Sequence, residues 1–213
     1  MFYRDEIELI ELLHRVLRDT VPTRADATVL FIQTQDNEGP QLDTATELYQ
    51  SGMASKIAVC GYTGKVTEGF VVSSGAQYKQ NLVQCGIPEE AVVLFQLATE
   101  IPPSTDAEAR GVVRLAKKLG WQSLFVVVPP LHAVRAFVST VAPTVREYPE
   151  LMVYSYPART PNWTEGVWHS ETAPKARRTD QLPGELAKMM KYYEKGDHLS
   201  IRDVLDYLDH RDA

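Results

Sequence analysis

Two side chains that can transfer a proton or bind an anion, His132 and Arg135, stand three residues apart just after the Pro129-Pro130 pair. An imidazole titrates near neutral pH, so His132 is a candidate general acid or base. Arg135 can hold a phosphate or carboxylate through paired N–H donors, close to helix N-terminal amides that also favour anions. The plainer interpretations stay open, since His132 can simply close the helix start and Arg135 can be an ordinary surface arginine.

Further candidates follow other predicted strands or begin a helix. Thr105 and Glu108 open a predicted helix with Thr-Asp-Ala-Glu, which is typical of a capping box, although Thr105 can also face a ligand. Glu108 is accordingly either a capping residue, the favoured interpretation, or a catalytic carboxyl. The remaining candidates that the residues themselves suggest as ligand contacts are Gln33, Asp36, Gly61, Tyr62 and Arg178. Asp36 is otherwise part of a solvated acidic loop spanning residues 33–40, and the glycine lets a ligand approach the backbone closely.

The elements that must position these residues alternate between strand and helix along the chain. Short apolar runs rich in β-branched residues predict buried strands, at 27–32, 56–60, 91–95, 124–128 and 151–156. Apolar residues at helical spacing fill the stretches between them. In the helix after Pro130, the spacing places His132 and Arg135 on the face away from the apolar stripe.

This alternation predicts the fold class, a doubly wound α/β fold with a mostly parallel five-stranded, Rossmann-like sheet and helices on both faces. Residues 1–213 are expected to form a single domain, with the core sheet within 25–156. An irregular loop follows over 157–179, and a C-terminal helical extension over 180–213 completes the chain.

The loop and the extension each carry a second prediction. Trp163 and Trp168 can stack on the ring of a ligand, but fixing the loop to the body of the protein is the favoured role. An apolar stripe in the first C-terminal helix predicts core packing, through Leu182, Leu186, Met189, Met190 and Tyr193.

Composition restricts the classes of function. Acidic residues outnumber basic ones, 28 to 22, for a formal net charge of −6, which argues against a nucleic-acid partner. The two cysteines, Cys60 and Cys85, have no zinc-ligand spacing, and no other spacing commits to a metal. No run is long enough to span a bilayer and no signal peptide is recognisable, so we expect a cytoplasmic protein without a membrane partner. The G-x-G-x-x-G fingerprint and the phosphate-binding P-loop are both absent.

The order of several short motifs resembles the YdcF/SanA/ElyC-like family of domains. The motifs are Asp26-Ala-Thr-Val-Leu, Ala45-Thr-Glu-Leu-Tyr, Ile57-Ala-Val-Cys-Gly, Cys85-Gly-Ile-Pro-Glu-Glu, Ser104-Thr105 and His132-Ala-Val-Arg-Ala. The resemblance covers roughly residues 25–142. It implies a Rossmann-like sheet whose polar residues converge at the strand ends, a suspected enzymatic activity, and S-adenosylmethionine as an associated ligand.

The chain departs from the family pattern at two positions. Gln41 stands where the family usually carries an arginine, which makes Gln41 a candidate ligand contact, and Ser74-Gly75-Ala76 replaces a Ser-Glu-Ala segment.

The sequence leaves two hypotheses for the function. The first is an enzyme that acts on a small nucleotide-like or phosphorylated molecule at the carboxyl ends of the strands, with S-adenosylmethionine as the leading candidate ligand. The second is a non-catalytic ligand-binding or regulatory module, which the two missing charges favour.

Overall fold

The structure is a computed structural model that describes residues 4–67, 69–100, 104–159, 162–169 and 175–213. Its helices are α1 (Arg4–Leu17), α2 (Gln35–Gln50), α3 (Gly75–Gln84), α4 (Thr105–Leu119), α5 (Pro130–Glu147), α6 (Arg178–Glu194) and α7 (Ile201–Asp212). Its strands are β1 (Ala25–Leu30), β2 (Ala54–Cys60), β3 (Lys65–Thr67), β4 (Phe70–Val72), β5 (Val92–Phe95), β6 (Ser123–Val127), β7 (Met152–Ser155), β8 (Gly166–Val167) and β9 (Ala176–Arg177). A short 3-10 turn, Glu89–Ala91, precedes β5.

Five parallel strands form the central sheet in the order β5-β2-β1-β6-β7, which confirms the predicted Rossmann-like α/β fold. The chain runs outward from β1 to β5 and then crosses back to place β6 beside β1, with Leu30 paired to Val127. Neighbouring connections leave β1 and β6 in opposite directions, so a crevice opens at their carboxyl ends. Ligands of open α/β sheets bind in crevices of this kind.

Helices cover both faces of the sheet. The apolar side chains of α2 and α3 pack on one face, while those of α1, α4, α5, α6 and α7 contribute to the core of the other. Helix α5 is surrounded, because α1, α4, α6 and α7 all pack against it, and every residue from Leu131 to Thr144 is buried. His132 and Arg135 therefore lie inside the protein, although they point away from the apolar stripe.

The predicted acidic loop over residues 33–40 is wrong, because α2 already begins at Gln35 and has Pro40 within it. Proline lacks the N–H that would normally bond the carbonyl four residues earlier. That carbonyl belongs to Asp36, and it accepts a hydrogen bond from Arg178 Nη2 at 3.2 Å instead. A partner from the C-terminal part of the chain thus compensates for the proline, and sequence periodicity cannot reveal such a partner.

The stretch predicted as an irregular loop contains a short antiparallel pair, β8 with β9, and α6 already begins at Arg178. Residues 160, 161 and 170–174 of that prediction lie outside the described residues. A second hairpin, β3 with β4, follows the glycine turn after β2 and was not predicted. The β3–β4 hairpin lies near the carboxyl end of the sheet, since Thr34 forms an isolated bridge with Val72 of β4. The end of β8 lies near the start of α2, because the Trp168 N–H donates to Asp36.

The predicted core packing of the α6 stripe is also wrong, because only Met189 of that stripe is buried. The other four members, Leu182, Leu186, Met190 and Tyr193, are between 37% and 54% exposed. The face of α6 that turns inward carries polar side chains, among them Arg178, Gln181 and Glu185. Among the helices that the structure describes, none combines the length and the hydrophobicity that a membrane-spanning segment requires.

Side chains, and not a further strand, form hydrogen bonds with the free backbone groups of the edge strand β7. Tyr207 Oη accepts from the Val153 N–H at 2.7 Å, and Arg211 Nη1 donates to the Val153 carbonyl at 2.7 Å. Asp19 accepts from the Ser155 N–H and pairs with Arg211 through an Nη2–Oδ1 contact of 2.5 Å. These contacts satisfy backbone groups that would otherwise offer an edge for pairing with another chain.

We expect Arg211→Met to lower the free energy of unfolding by about 3–5 kcal/mol, because it leaves the buried Asp19 carboxylate unpaired. Arg202→Met on the same helix is the matched control, since Arg202 is 40% exposed and exposed ion pairs are worth about 1 kcal/mol or less. Chemical denaturation of both variants measures the difference. Equal losses would contradict this role of Arg211.

Candidate functional site

A pocket of about 330 Å³ lies over the carboxyl ends of the central strands. Its walls come from the segments that follow β1, β2 and β5, and from α4, α5, α6 and the segment before β9. The lining residues are Ile32, Gln33, Thr34, Tyr62, Val72, Leu97, Ser104, Thr105, Glu108, His132, Arg135, His169, Lys188 and Tyr192. This volume is at the lower end of the range for small-molecule sites, so the pocket suits a small ligand.

The Glu185 carboxylate holds three basic side chains at one wall of the pocket. Oε2 lies 2.6 Å from Arg135 Nε, and Oε1 lies 2.8 Å from Lys188 Nζ and 2.9 Å from His169 Nε2. Burial by itself raises the pKa of Glu185, but the contact with His169 and the charge of Arg135 outweigh it and lower the pKa. Glu185 therefore stays ionised and joins α5, α6 and the segment carrying His169.

Arg135 keeps part of its guanidinium available to the pocket. Besides the contact with Glu185, its Nη1 donates to Thr105 Oγ1 at 2.6 Å. Its Nη2 donates to no group within the described ranges. Because the guanidinium is fixed at two of its three nitrogens, the third can bind an anion with little loss of side-chain freedom.

His132 is held as a neutral imidazole with a defined tautomer. Gln33 Nε2 lies 3.5 Å from the Phe31 carbonyl, which can only accept, so this atom is the amide nitrogen and donates to His132 Nδ1 at 2.8 Å. The proton of the neutral ring is then on Nε2, which lies 3.5 Å from Thr105 Oγ1. Burial, and then the nearby charge of Arg135, lower the pKa of His132 well below its usual value.

Glu108 differs from the predicted capping residue. Helix α4 is capped by Ser104, whose Oγ accepts from the Ala107 N–H, so the capping box at Thr105 is wrong. Glu108 Oε2 instead accepts from the Ile32 N–H at 2.9 Å, just beyond β1. Burial raises the pKa of the Glu108 carboxyl to about 8, although the Ile32 hydrogen bond and Arg135 oppose this shift. A carboxyl group with this pKa changes protonation close to neutral pH, as a general acid or base requires.

Four predicted ligand contacts do not line this pocket, and each has a structural role. Asp36 and Arg178 fasten the segment that carries His169. Asp36 Oδ2 accepts from the Trp168 N–H at 2.8 Å, and Arg178 Nη1 donates to Glu165 and to the Asn162 carbonyl. Trp168 also packs on Phe70, with ring centroids 5.2 Å apart, in agreement with the expected fixing role.

The other two, Gln41 and Gly61, belong to the ends of the strands. Gln41 is fully buried, and its Nε2 donates to the Phe31 and Val127 carbonyls at 2.9 and 2.7 Å, which bridges β1 and β6 where they diverge. Gly61 extends the pairing of β2, since its N–H donates to the Phe95 carbonyl.

Gly75 stands where the family pattern has a glutamate. A Cβ on Gly75 would lie 2.0 Å from the Cys60 carbonyl oxygen, so a glutamate does not fit at this position unless the backbone shifts.

Three polar or aromatic residues that line the pocket, His169, Lys188 and Tyr192, were not predicted from the sequence, nor was Glu185, which contacts two of them. A signal for three of these four was present in α6, where polar or amphipathic side chains recur on one helix face at 178, 181, 185, 188 and 192. Six predicted site residues do line the pocket, namely Gln33, Tyr62, Thr105, Glu108, His132 and Arg135.

Comparison with known proteins adds no relative of the chain, since no protein-family model and no curated protein matches it. In the part of the chain that the structure describes, no group of three or more His, Cys, Asp or Glu side chains is arranged to hold a metal ion. The chemistry of the pocket is therefore inferred from its own side chains.

Glu108 should make stability depend on pH. Its pKa is raised in the folded protein to about 8, so the folded state retains a proton that the unfolded chain releases near pH 4.5. This contribution is complete below the unfolded pKa and disappears as the pH rises to about 8. Glu108→Gln mimics the protonated form, so the stability of this variant relative to wild type should increase between pH 5 and 8, by up to about 1.4 kcal/mol per pH unit. Denaturation at several pH values measures it, and a constant difference would contradict the shift.

Proposed function

We propose that this protein is an enzyme that binds a small phosphorylated molecule in the pocket and acts on it by proton transfer. One observation supports this most directly. The same small pocket contains a guanidinium and an ammonium group, Arg135 and Lys188, together with a carboxyl group, Glu108, whose pKa is about 8. Perturbed titratable groups in a concave site are typical of catalysis.

The polar wall of the pocket favours an anion. Arg135 Nη2 and the Lys188 ammonium group are charged donors, and the Nε2–H of His132 is a neutral one. Two cations, Arg135 and Lys188, against the single Glu185 carboxylate give this wall a net positive charge. The first turns of α4 and α5 also lie at the pocket and favour negative charge.

The pocket also has apolar and aromatic lining that suits the carbon skeleton of a ligand. These residues are Ile32, Tyr62, Val72, Leu97 and Tyr192. The two tyrosines can pack against a sugar or a planar ring. A ligand with a phosphate group and a short, weakly polar body matches this combination of polar and apolar lining.

S-adenosylmethionine, the ligand implied by the family resemblance, fits these residues less well. Its sulfonium and ammonium groups are cationic, and they would lie near Arg135 and Lys188. Nucleotide-binding sheets of this type often hold the ribose with a carboxylate beyond the second strand. Here β2 ends in Cys60 and continues into Gly61 and Tyr62, so that acceptor is missing. A phosphorylated ligand is the better match.

The non-catalytic alternative, a binding or regulatory module, accounts for the anion-binding wall equally well. It has no need for a carboxyl group whose pKa lies near neutrality. Glu108 therefore favours the enzyme. The absence of the family's charged residues at Gln41 and Gly75 does not argue against an enzyme. Gln41 donates a hydrogen bond to a backbone carbonyl, and the backbone leaves no room for a side chain at Gly75.

A thermal-shift screen with phosphate, pyrophosphate, sugar phosphates, nucleotides and S-adenosylmethionine tests this function. A ligand that binds only the folded state stabilises it by RT ln(1 + [L]/Kd), so the melting temperature rises with ligand concentration. We expect Lys188→Gln to weaken a phosphorylated ligand by about tenfold, at the low end for a charge-assisted hydrogen bond. Lys188 is the better probe because its side chain is 29% exposed, whereas removal of Arg135, whose side chain is 8% exposed, would deprive the buried Glu185 of its buried partner.

Lys191→Gln on the same helix is the control, because Lys191 is exposed and is not part of the pocket. It should leave the affinity unchanged. Equal affinity in both lysine variants would remove Lys188 from the site, and stabilisation by S-adenosylmethionine alone would replace the phosphorylated ligand in this proposal.

A further inference from the structure

A carboxyl group and an uncharged imidazole line the same small pocket close to each other. Glu108 and Thr105 lie three residues apart on α4, and Thr105 Oγ1 is 3.5 Å from His132 Nε2. Residues at this helical spacing have Cβ atoms about 5–6 Å apart. One small molecule can therefore contact the Glu108 carboxyl and the His132 ring together.

Glu108 is the proton acceptor of this pair. The Nδ1 lone pair of His132 is occupied by the N–H of Gln33, and Nε2 carries the ring proton, so the imidazole can only donate. Glu108 Oε1 has no hydrogen-bond partner among the residues that the structure describes. The raised pKa of Glu108 makes its carboxylate a stronger base than an ordinary one.

Thr105 is not placed to act as a nucleophile. Its oxygen accepts a hydrogen bond from Arg135 Nη1 at 2.6 Å, and its other close neighbour is the protonated nitrogen of His132. An attacking hydroxyl needs an adjacent base to take its proton. The geometry therefore favours proton transfer over covalent catalysis through Thr105.

We propose that the pocket catalyses the enolisation of a small phosphorylated 2-hydroxycarbonyl compound, with Glu108 as the base and His132 as the donor to the carbonyl oxygen. This inference rests on the proposed function, because Arg135 and Lys188 must hold the phosphate. A carboxylate base combined with a histidine kept neutral at a helix N-terminus is an established solution for this chemistry. His132 lies in the first turn of α5, and the pocket of about 330 Å³ suits a sugar phosphate of a few carbons.

The step is balanced without any further reactant. The Glu108 carboxylate removes the proton from the carbon next to the carbonyl, and the electron pair of that C–H bond forms the C=C bond of the enediol. The carbonyl electron pair moves to its oxygen, which receives the Nε2 proton of His132. Glu108 then returns its proton to the former carbonyl carbon, and the hydroxyl on the other enediol carbon gives its proton to Nε2 of His132 as that C–O bond becomes the new carbonyl, which yields the isomeric compound.

The test is solvent exchange in D2O, with aldose phosphates of three, four and five carbons as probes. Nuclear magnetic resonance follows loss of the proton next to the carbonyl, with a parallel thermal shift for binding. We expect protein-dependent exchange whose rate rises as the pH approaches 8, where Glu108 ionises. Glu108→Gln should reduce exchange by at least about 100-fold, the usual worth of a general base, and keep the thermal shift. Glu150→Gln, at an exposed position away from the pocket, should retain full exchange.

The outcomes separate this inference from the function on which it rests. Binding without exchange of any probe would overturn enolisation and leave phosphorylated-ligand binding intact. Release of inorganic phosphate in place of exchange would assign hydrolysis and overturn it as well. Absence of binding by any phosphorylated compound would overturn the proposed function itself. Exchange that persists in Glu108→Gln would remove Glu108 as the base.

Discussion

The site depends on the burial of one charge, the Glu185 carboxylate. Its side chain is only 5% exposed, and an isolated carboxylate at such a place would cost several kcal/mol. Arg135 from α5 and Lys188 from α6 compensate for this charge, and His169 from the segment before β9 lies with its Nε2 2.9 Å from Oε1. Because these partners come from three separate parts of the chain, satisfying Glu185 also fixes one wall of the pocket.

The positions of Glu108 and His132 follow from the way α4 and α5 meet the sheet. A Cβ on Gly111 would lie 2.4 Å from the Gln96 carbonyl oxygen, so α4 packs very close to the end of β5 and brings Glu108 to the Ile32 N–H. Burial then moves two pKa values in useful directions: that of Glu108 rises to about 8, and that of His132 falls. The result is a base and a neutral donor beside an anion-binding wall.

The sheet and the positions of His132, Arg135 and Thr105 could be predicted from the sequence. Local apolar runs indicate where the buried strands lie and therefore which residues follow the strand ends. The roles of Asp36, Gln41 and Arg178 were not, since each depends on a carbonyl or N–H that arrives from a distant segment. Helix α6 shows the same limit. Its apolar stripe predicted the buried face, but the pocket requires Glu185 and Lys188 there, so four stripe residues remain exposed. Periodicity identifies an amphipathic helix and does not say whether its polar face turns inward.

A double-mutant cycle on Arg135 and Glu185 tests most directly the claim that this pair assembles the site. The free energy of unfolding is measured for wild type, Arg135→Met, Glu185→Met and the double variant. Each single change leaves a buried charge without its main partner, so each should cost about 3–5 kcal/mol. The double variant should cost less than their sum, with a coupling energy of about 2–3 kcal/mol. Additive losses would contradict the claim, because the two side chains would then stabilise the protein independently.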